Sequence, residues 1–194
     1  VLDKDGKLST SGSKIKIIIS ISAFAWFFSS VLNILFTLAN ILGESVTAVL
    51  DPAVIQSFVL QITLGQYLFF QTLIALFVAI TSRLLTSSGY TAILLLISLI
   101  AISAPVFQSH SASSGSHALA IGSLLIHVIG LSFWVGGVIA IALLNQDDRK
   151  ISLPRFSQIA LWAAIAVVIS GVVNASARLN FAAAWSSSYA YVVI

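Results

Sequence analysis

The 194-residue sequence contains no cysteine and no methionine. Without cysteine there is no disulfide and no thiolate metal site. Without either residue the soft sulfur donors are gone, so a transition-metal site must use histidine or groups on a partner. Methionine is missing even at position 1, and the chain therefore reads as an internal piece or a processed product. Charge is scarce too: 8% of residues are Asp, Glu, Lys or Arg, against roughly 25% in soluble domains. With 59% hydrophobic residues and a mean hydropathy of +1.08, the composition excludes an ordinary soluble domain and implies a polytopic membrane protein. Signatures of catalysis are lacking: no P-loop, no G-x-S-x-G, no H-E-x-x-H and no acidic metal box, so no enzyme is expected. The nine basic residues are spread over loops without an aromatic-basic patch, which argues against a nucleic-acid partner. No acidic or basic residue lies near the centre of an apolar run, so the acidic relay of a proton-coupled pump is absent from this sequence.

What the sequence does contain is a series of apolar runs long enough to cross a bilayer. Residues 1–14 are polar and turn-like (DKDG, STSGS) and read as a loop or linker. Five spans are expected at about 15–41, 67–81, 90–106, 117–144 and 156–177, and residues 181–194 read as the approach to a sixth. Gly43 is a helix stop after the first span. Pro105 stops the third, Ser116 is the expected N-cap of the fourth, and Ser152-Leu153-Pro154 leads into the fifth. Between the first two spans, Asp51-Pro52 forms a helix start with Asp as N-cap and Pro at the first helical position. Behind it, Val54, Ile55, Phe58, Val59 and Ile62 recur at helical spacing, opposed by Gln56, Ser57, Gln61 and Thr63. This pattern predicts a short amphipathic helix over 52–63 lying at the membrane surface. The fold class is all-α: a polytopic transmembrane bundle with one interfacial helix.

Loop charges set an expected orientation. With the N-terminal segment inside, Lys4, Lys7, Lys14, Lys16, Arg83, Arg149, Lys150 and Arg155 fall on the cytoplasmic side, and Arg178 alone falls outside. That eight-to-one bias places Glu44, Asp51, His110 and His117 on the outer face.

All three histidines lie within eighteen residues, at 110, 117 and 127. His127 sits inside 123–142 (SLLIHVIGLSFWVGGVIAIA), which carries no charge. An imidazole at that depth needs a partner: a protein group, a water, a metal or a cofactor. On a helix, His117 and His127 stand about 15 Å apart along the axis and roughly 80° apart in direction. They cannot share one ion, but they can form two stations on a route, one at the outer mouth and one within the bilayer. The alternative is that His110 and His117 are solvated loop residues and that His127 bonds a serine or carbonyl of a neighbouring helix. Trp134 returns to nearly the direction of His127. With Gly130 and Gly136-Gly137, it marks either a cleft between helices or simple close packing of small residues. Asn33, Asn40, Gln66, Gln71 and Asn174 are expected to bond across helices.

Three stretches carry a family likeness: LDPAVIQSFVLQITLGQ (50–66), SHSASSGSHALAIGSLLIHVIGLSFWVGG (109–137) and RFSQIALWAAIAVVISGVVNASARL (155–179). In this order they resemble the CopD/PcoD family of bacterial copper-resistance membrane proteins. They are most similar to the actinobacterial branch, in which a CopD-like half is fused to a cytochrome c oxidase assembly (CtaG-like) half. The carriers are the His127-x6-Trp134-x-Gly136-Gly137 pattern, the Arg155-Phe156-Ser157 element and the Ser170-Gly171-x2-Asn174-Ala175 element. The resemblance implies copper transport or delivery across the cytoplasmic membrane, in resistance, homeostasis or supply to cytochrome c oxidase assembly. It implies copper-ion ligands at His110, His117 and His127, with a periplasmic copper-binding protein as a possible partner beside the lipid bilayer. The family's G-H-A element corresponds to Ser109-His110-Ser111, where serine replaces the usual glycine, and its later Y-G-x-x-L…K element is not reached. Two other readings stand beside it: a membrane b-type haem protein, which would need a second histidine at the depth of His127, and an assembly scaffold without transport.

Overall fold

The computed structural model describes residues 10–84, 88–108 and 117–178, and among these there is no strand. The helices are α1 (Thr10–Leu42), α2 (Pro52–Gln61), α3 (Thr63–Thr81), α4 (Ser88–Ser103), α5 (His117–Leu143) and α6 (Gln146–Arg178). Single 3-10 turns follow α3 (Ser82–Leu84) and α4 (Ala104–Gln108). All except α2 are long and apolar enough to cross a membrane. Contacts divide the chain into two units, one of Val1–Gln108 with Ala142–Lys150, the other of Ser109–Ile141 with Ile151–Ile194.

The first unit is organised by α1 against α3. Gly65, Leu68, Thr72, Ala75, Ala79 and Ser82 are buried along α3 at alternating spacings of three and four, one stripe of a helix. Most are small, which lets the backbones approach in the absence of a hydrophobic drive between helices in lipid. The facing stripe on α1 buries Ser20, Ala23, Ser30, Ile34 and Leu38. Ser20 meets the Ala79 carbonyl, whereas Ile34, Leu38 and Ala39 cluster with Phe58 and Leu68, so the two helices run antiparallel. Large apolar side chains on the other faces, such as Phe28, Phe36 and Ile80, are exposed, as expected where the solvent is lipid.

α1 ends as Gly43 predicts. Gly43 has φ 68°, and the Glu44 amide reaches back to the Ala39 carbonyl at 3.0 Å, the six-to-one bond of a Schellman motif. The helix begins at Thr10, however, inside the stretch expected to be a linker. Lengthening an existing helix carries no nucleation cost, so polar residues join it readily.

α2 is capped as expected. The Asp51 Oδ1 accepts from the Ala53 amide at 2.8 Å, with Pro52 at the first position. Its apolar face is spent on protein: Phe58 is buried and Val54, Ile55 and Val59 pack on the same cluster as Ile34 and Leu38. It ends at Gln61 because Ile62 turns extended (φ −102°, ψ 124°), and α3 starts at the next residue. A Cβ on Gly65 would run into the Phe58 carbonyl, so only glycine allows this sharp junction. The Gln66 side chain closes it by donating to the Leu60 carbonyl at 2.7 Å.

α6 departs from expectation. The segment with Arg149, Lys150 and Pro154 is not a loop: the helix starts at Gln146 and carries Pro154 within it. Asn145 caps it, its Oδ1 accepting from the Asp148 amide at 2.8 Å, and Asp147 and Asp148 complement the helix dipole. The Arg149 guanidinium donates to the Ala142 and Leu144 carbonyls at 2.9 and 3.0 Å, satisfying the last carbonyls of α5. The 31 residues Gln146–Ser176 of α6 measure about 46 Å as a helix, longer than the hydrocarbon core, so the charged first turns extend beyond it.

Candidate functional site

The second unit holds the candidate site, where α5 and α6 pack antiparallel. A Cβ on Gly130 would stand 3.0 Å from a Val167 methyl and 3.3 Å from the Ala163 carbonyl, and one on Gly137 would collide with the Phe156 ring. These glycines are therefore contact points between helices. Gly136 has nothing within 4 Å of a Cβ.

His127 faces α6. Its Nδ1 lies 3.1 Å from the Val167 carbonyl oxygen and 3.3 Å from the Ser170 Oγ. Ser170 is buried, and its hydroxyl also bonds the Val167 carbonyl at 3.1 Å. A carbonyl only accepts, and the Ser170 proton already points at it. The proton of a neutral imidazole therefore belongs on Nδ1, shared between these two oxygens, and Nε2 keeps its lone pair. Metal-binding histidines have this arrangement, with the far nitrogen donating to a carbonyl or carboxylate. It is also the bond that a purely structural histidine would make. Gly171 completes the wall: a Cβ there would meet the imidazole at 3.5 Å, an ordinary contact. Beside the ring lies an apolar groove of about 340 Å³, lined by Gly122, Ser123 and Ile126 from α5 and Ala166, Ile169 and Ser170 from α6.

Trp134 does not close a cleft with His127: it is 41% exposed, and Gly130 on the same face is filled by Val167. Of the amides, Gln66 bonds across helices as expected, from α3 to the Leu60 carbonyl of α2, whereas Asn33 accepts from Thr37 on its own helix. Asn174, one turn beyond Ser170, has a buried Oδ1 with no hydrogen-bond partner among the described residues. Its position continues the stripe Ala163, Val167, Ser170 that faces α5.

Of the expected metal residues, His127 is placed by the structure. His117 is the first residue of α5, about 15 Å along the axis from His127. His110, with the serine-rich stretch 109–116 and the expected span at 181–194, lies outside the described residues. Among the described residues, no three His, Cys, Asp or Glu side chains come together in a group able to hold a metal ion. The sequence left the partners of His127 unnamed, although the Ser170-Gly171-x2-Asn174 pattern marked their helix.

Among the described residues, five helices able to cross a membrane, with a histidine bonded between two of them, define a polytopic α-helical membrane protein. Residues 4–120, more than half of the chain, match the family described as Copper resistance protein D-like, N-terminal domain. The chain belongs to this family and is a membrane protein related to copper resistance. The match includes His110 and His117 and ends before His127. No curated protein and no solved structure matches the chain.

Proposed function

We propose that this protein transports or delivers copper across the bacterial cytoplasmic membrane, with His127 as its intramembrane contact. The family match supports copper as the cargo. The observation that supports the site is the Nδ1 bond to Val167, which leaves Nε2 as the free donor. Asn174 Oδ1, buried and without a hydrogen-bond partner among the described residues, is the second ligand we assign, since an amide oxygen at this depth is costly to leave unsatisfied. His110 and His117 form the outer mouth, on the face with fewer basic residues. There the protein receives or hands over the ion, with a periplasmic copper-binding protein as partner. Supply to cytochrome c oxidase assembly is the more specific role, suggested by likeness to CopD–CtaG fusions. With imidazole and amide donors and no sulfur, the ligand set is borderline to hard.

Metal analysis of the purified full chain tests this reading. Copper should co-purify or bind on addition to the parent, and His127→Leu should reduce it. A Soret band in the parent would instead identify a haem protein. A parent that is folded and binds neither copper nor haem would favour a scaffold.

A further inference from the structure

A second polar cluster lies in the first unit, where the start of α1 and the end of α3 share one bilayer surface. Ser20 and Ser82 are both fully buried. Ser20 donates to the Ala79 carbonyl at 2.9 Å and accepts from the Arg83 Nε at 3.1 Å, while Ser82 donates to the same carbonyl at 3.2 Å. Arg83 is thus held by its Nε at the last turn of the span Thr63–Leu84. It has no carboxylate partner among the described residues. Lys16 precedes Ser20 by one turn on α1 and adds a second cation to the same face. Thr81 and Leu84, on either side of Arg83 in sequence, line an apolar groove of about 560 Å³ together with Phe77 and, from α4, Tyr90, Ile93 and Ile97. Tyr90 stands at the interface end of α4, and from there to Ile97 the groove extends about 10 Å towards the membrane interior.

We infer that this is a binding site for an anionic phospholipid, with an acyl chain in the groove and the phosphate on Arg83. Three features support that occupant over generic lipid. The cation is immobilised before binding, because Ser20 fixes its Nε and leaves the two terminal amino groups to form the bidentate contact that guanidinium makes with phosphate. The groove begins where the headgroup would sit and is apolar from there inward. The basic pair Lys16 and Arg83 selects a lipid with net negative charge over a zwitterionic one. The inference is independent of the copper reading.

Native mass spectrometry of the purified full chain, titrated with phosphatidylglycerol or phosphatidylcholine, tests it. The parent should retain phosphatidylglycerol about fivefold better, the effect of roughly one basic contact with an anionic headgroup. Arg83→Gln should abolish the preference. Ser20→Ala, which keeps every charge but frees the guanidinium, should weaken it. Ile97→Trp, which fills the groove and leaves the cations, should lower retention while the protein stays monodisperse, and Arg149→Gln should change nothing. Equal retention of the two lipids by the parent would overturn the site. So would an unchanged preference in Arg83→Gln, or displacement of the lipid by inorganic phosphate alone.

Discussion

The His127 Nδ1 and the Val167 carbonyl oxygen, forty positions apart in sequence, stand 3.1 Å apart between α5 and α6. The bond crosses between the two helices one turn from Gly130, where an added Cβ would stand 3.0 Å from a Val167 methyl, and it orients the imidazole. It is not the only bond on that carbonyl, because the Ser170 hydroxyl reaches it as well.

That redundancy sharpens the test of His127. Replacing it with Leu removes one interhelical bond, worth about 1 kcal/mol or less in a membrane, and strands no acceptor. His127→Leu protein should therefore accumulate and melt close to the parent, while its copper content and copper-dependent growth change. A structural histidine would give the reverse, lower expression or melting temperature with copper handling per molecule unaltered. His110→Ala and His117→Ala should give milder losses, since exposed sites at an outer mouth back each other up.

The junction of α2 and α3 carries a second prediction. A methyl group at Gly65 meets the Phe58 backbone carbonyl, which cannot rotate away. Gly65→Ala should destabilise the protein by about 1–3 kcal/mol, the usual cost of overpacking. Gly136→Ala meets nothing within 4 Å and removes a helix-disfavouring glycine, so it should be neutral or stabilising by up to about 1 kcal/mol. Thermal unfolding of the two variants in the same detergent checks the contrast, and equal melting points would refute it.

The spans were legible because a bilayer demands long apolar runs, and no other feature of this sequence competes with that signal. The start of α2 was legible because Asp51-Pro52 is a local code, read within three residues. The start of α6 was not, because Pro154 and the charges at 147–150 outweighed the quieter signal of Asn145 followed by two aspartates. His127 stood out as the polar residue in an apolar helix. Its partners did not, because Val167 and Ser170 reach it only through the register in which α5 and α6 cross, and a single sequence does not encode that register locally. For the same reason Ser20 and Arg83, sixty-three positions apart, gave no sign of meeting.

Pro154 inside α6 is a strained choice. It removes one amide donor and crowds the Lys150 carbonyl, at a cost of about 3 kcal/mol in an ordinary helix interior. Pro154→Ala restores the donor without adding bulk. The melting midpoint should rise by at least about 2 °C. A lower midpoint would mean that the helix needs a bend at this position.

Orientation can be tested directly because the chain has no native cysteine, so each introduced thiol is unique. The basic residues Lys14, Lys16, Arg83, Arg149, Lys150 and Arg155 should be cytoplasmic. The antiparallel packing of α1 on α3 agrees with them, since it brings Lys16 and Arg83 to one surface. Thr47, in the turn after α1, is exposed and belongs to the opposite side, as does Ser113 by the count of spans. Asp147, exposed at the start of α6, belongs with the basic residues. In intact cells, Thr47→Cys and Ser113→Cys should react with a membrane-impermeant maleimide and Asp147→Cys should not. Inverted vesicles should exchange the pattern. Labelling of Asp147→Cys alone in intact cells would reverse the topology and put His117 on the cytoplasmic side, where an outer mouth for copper is impossible.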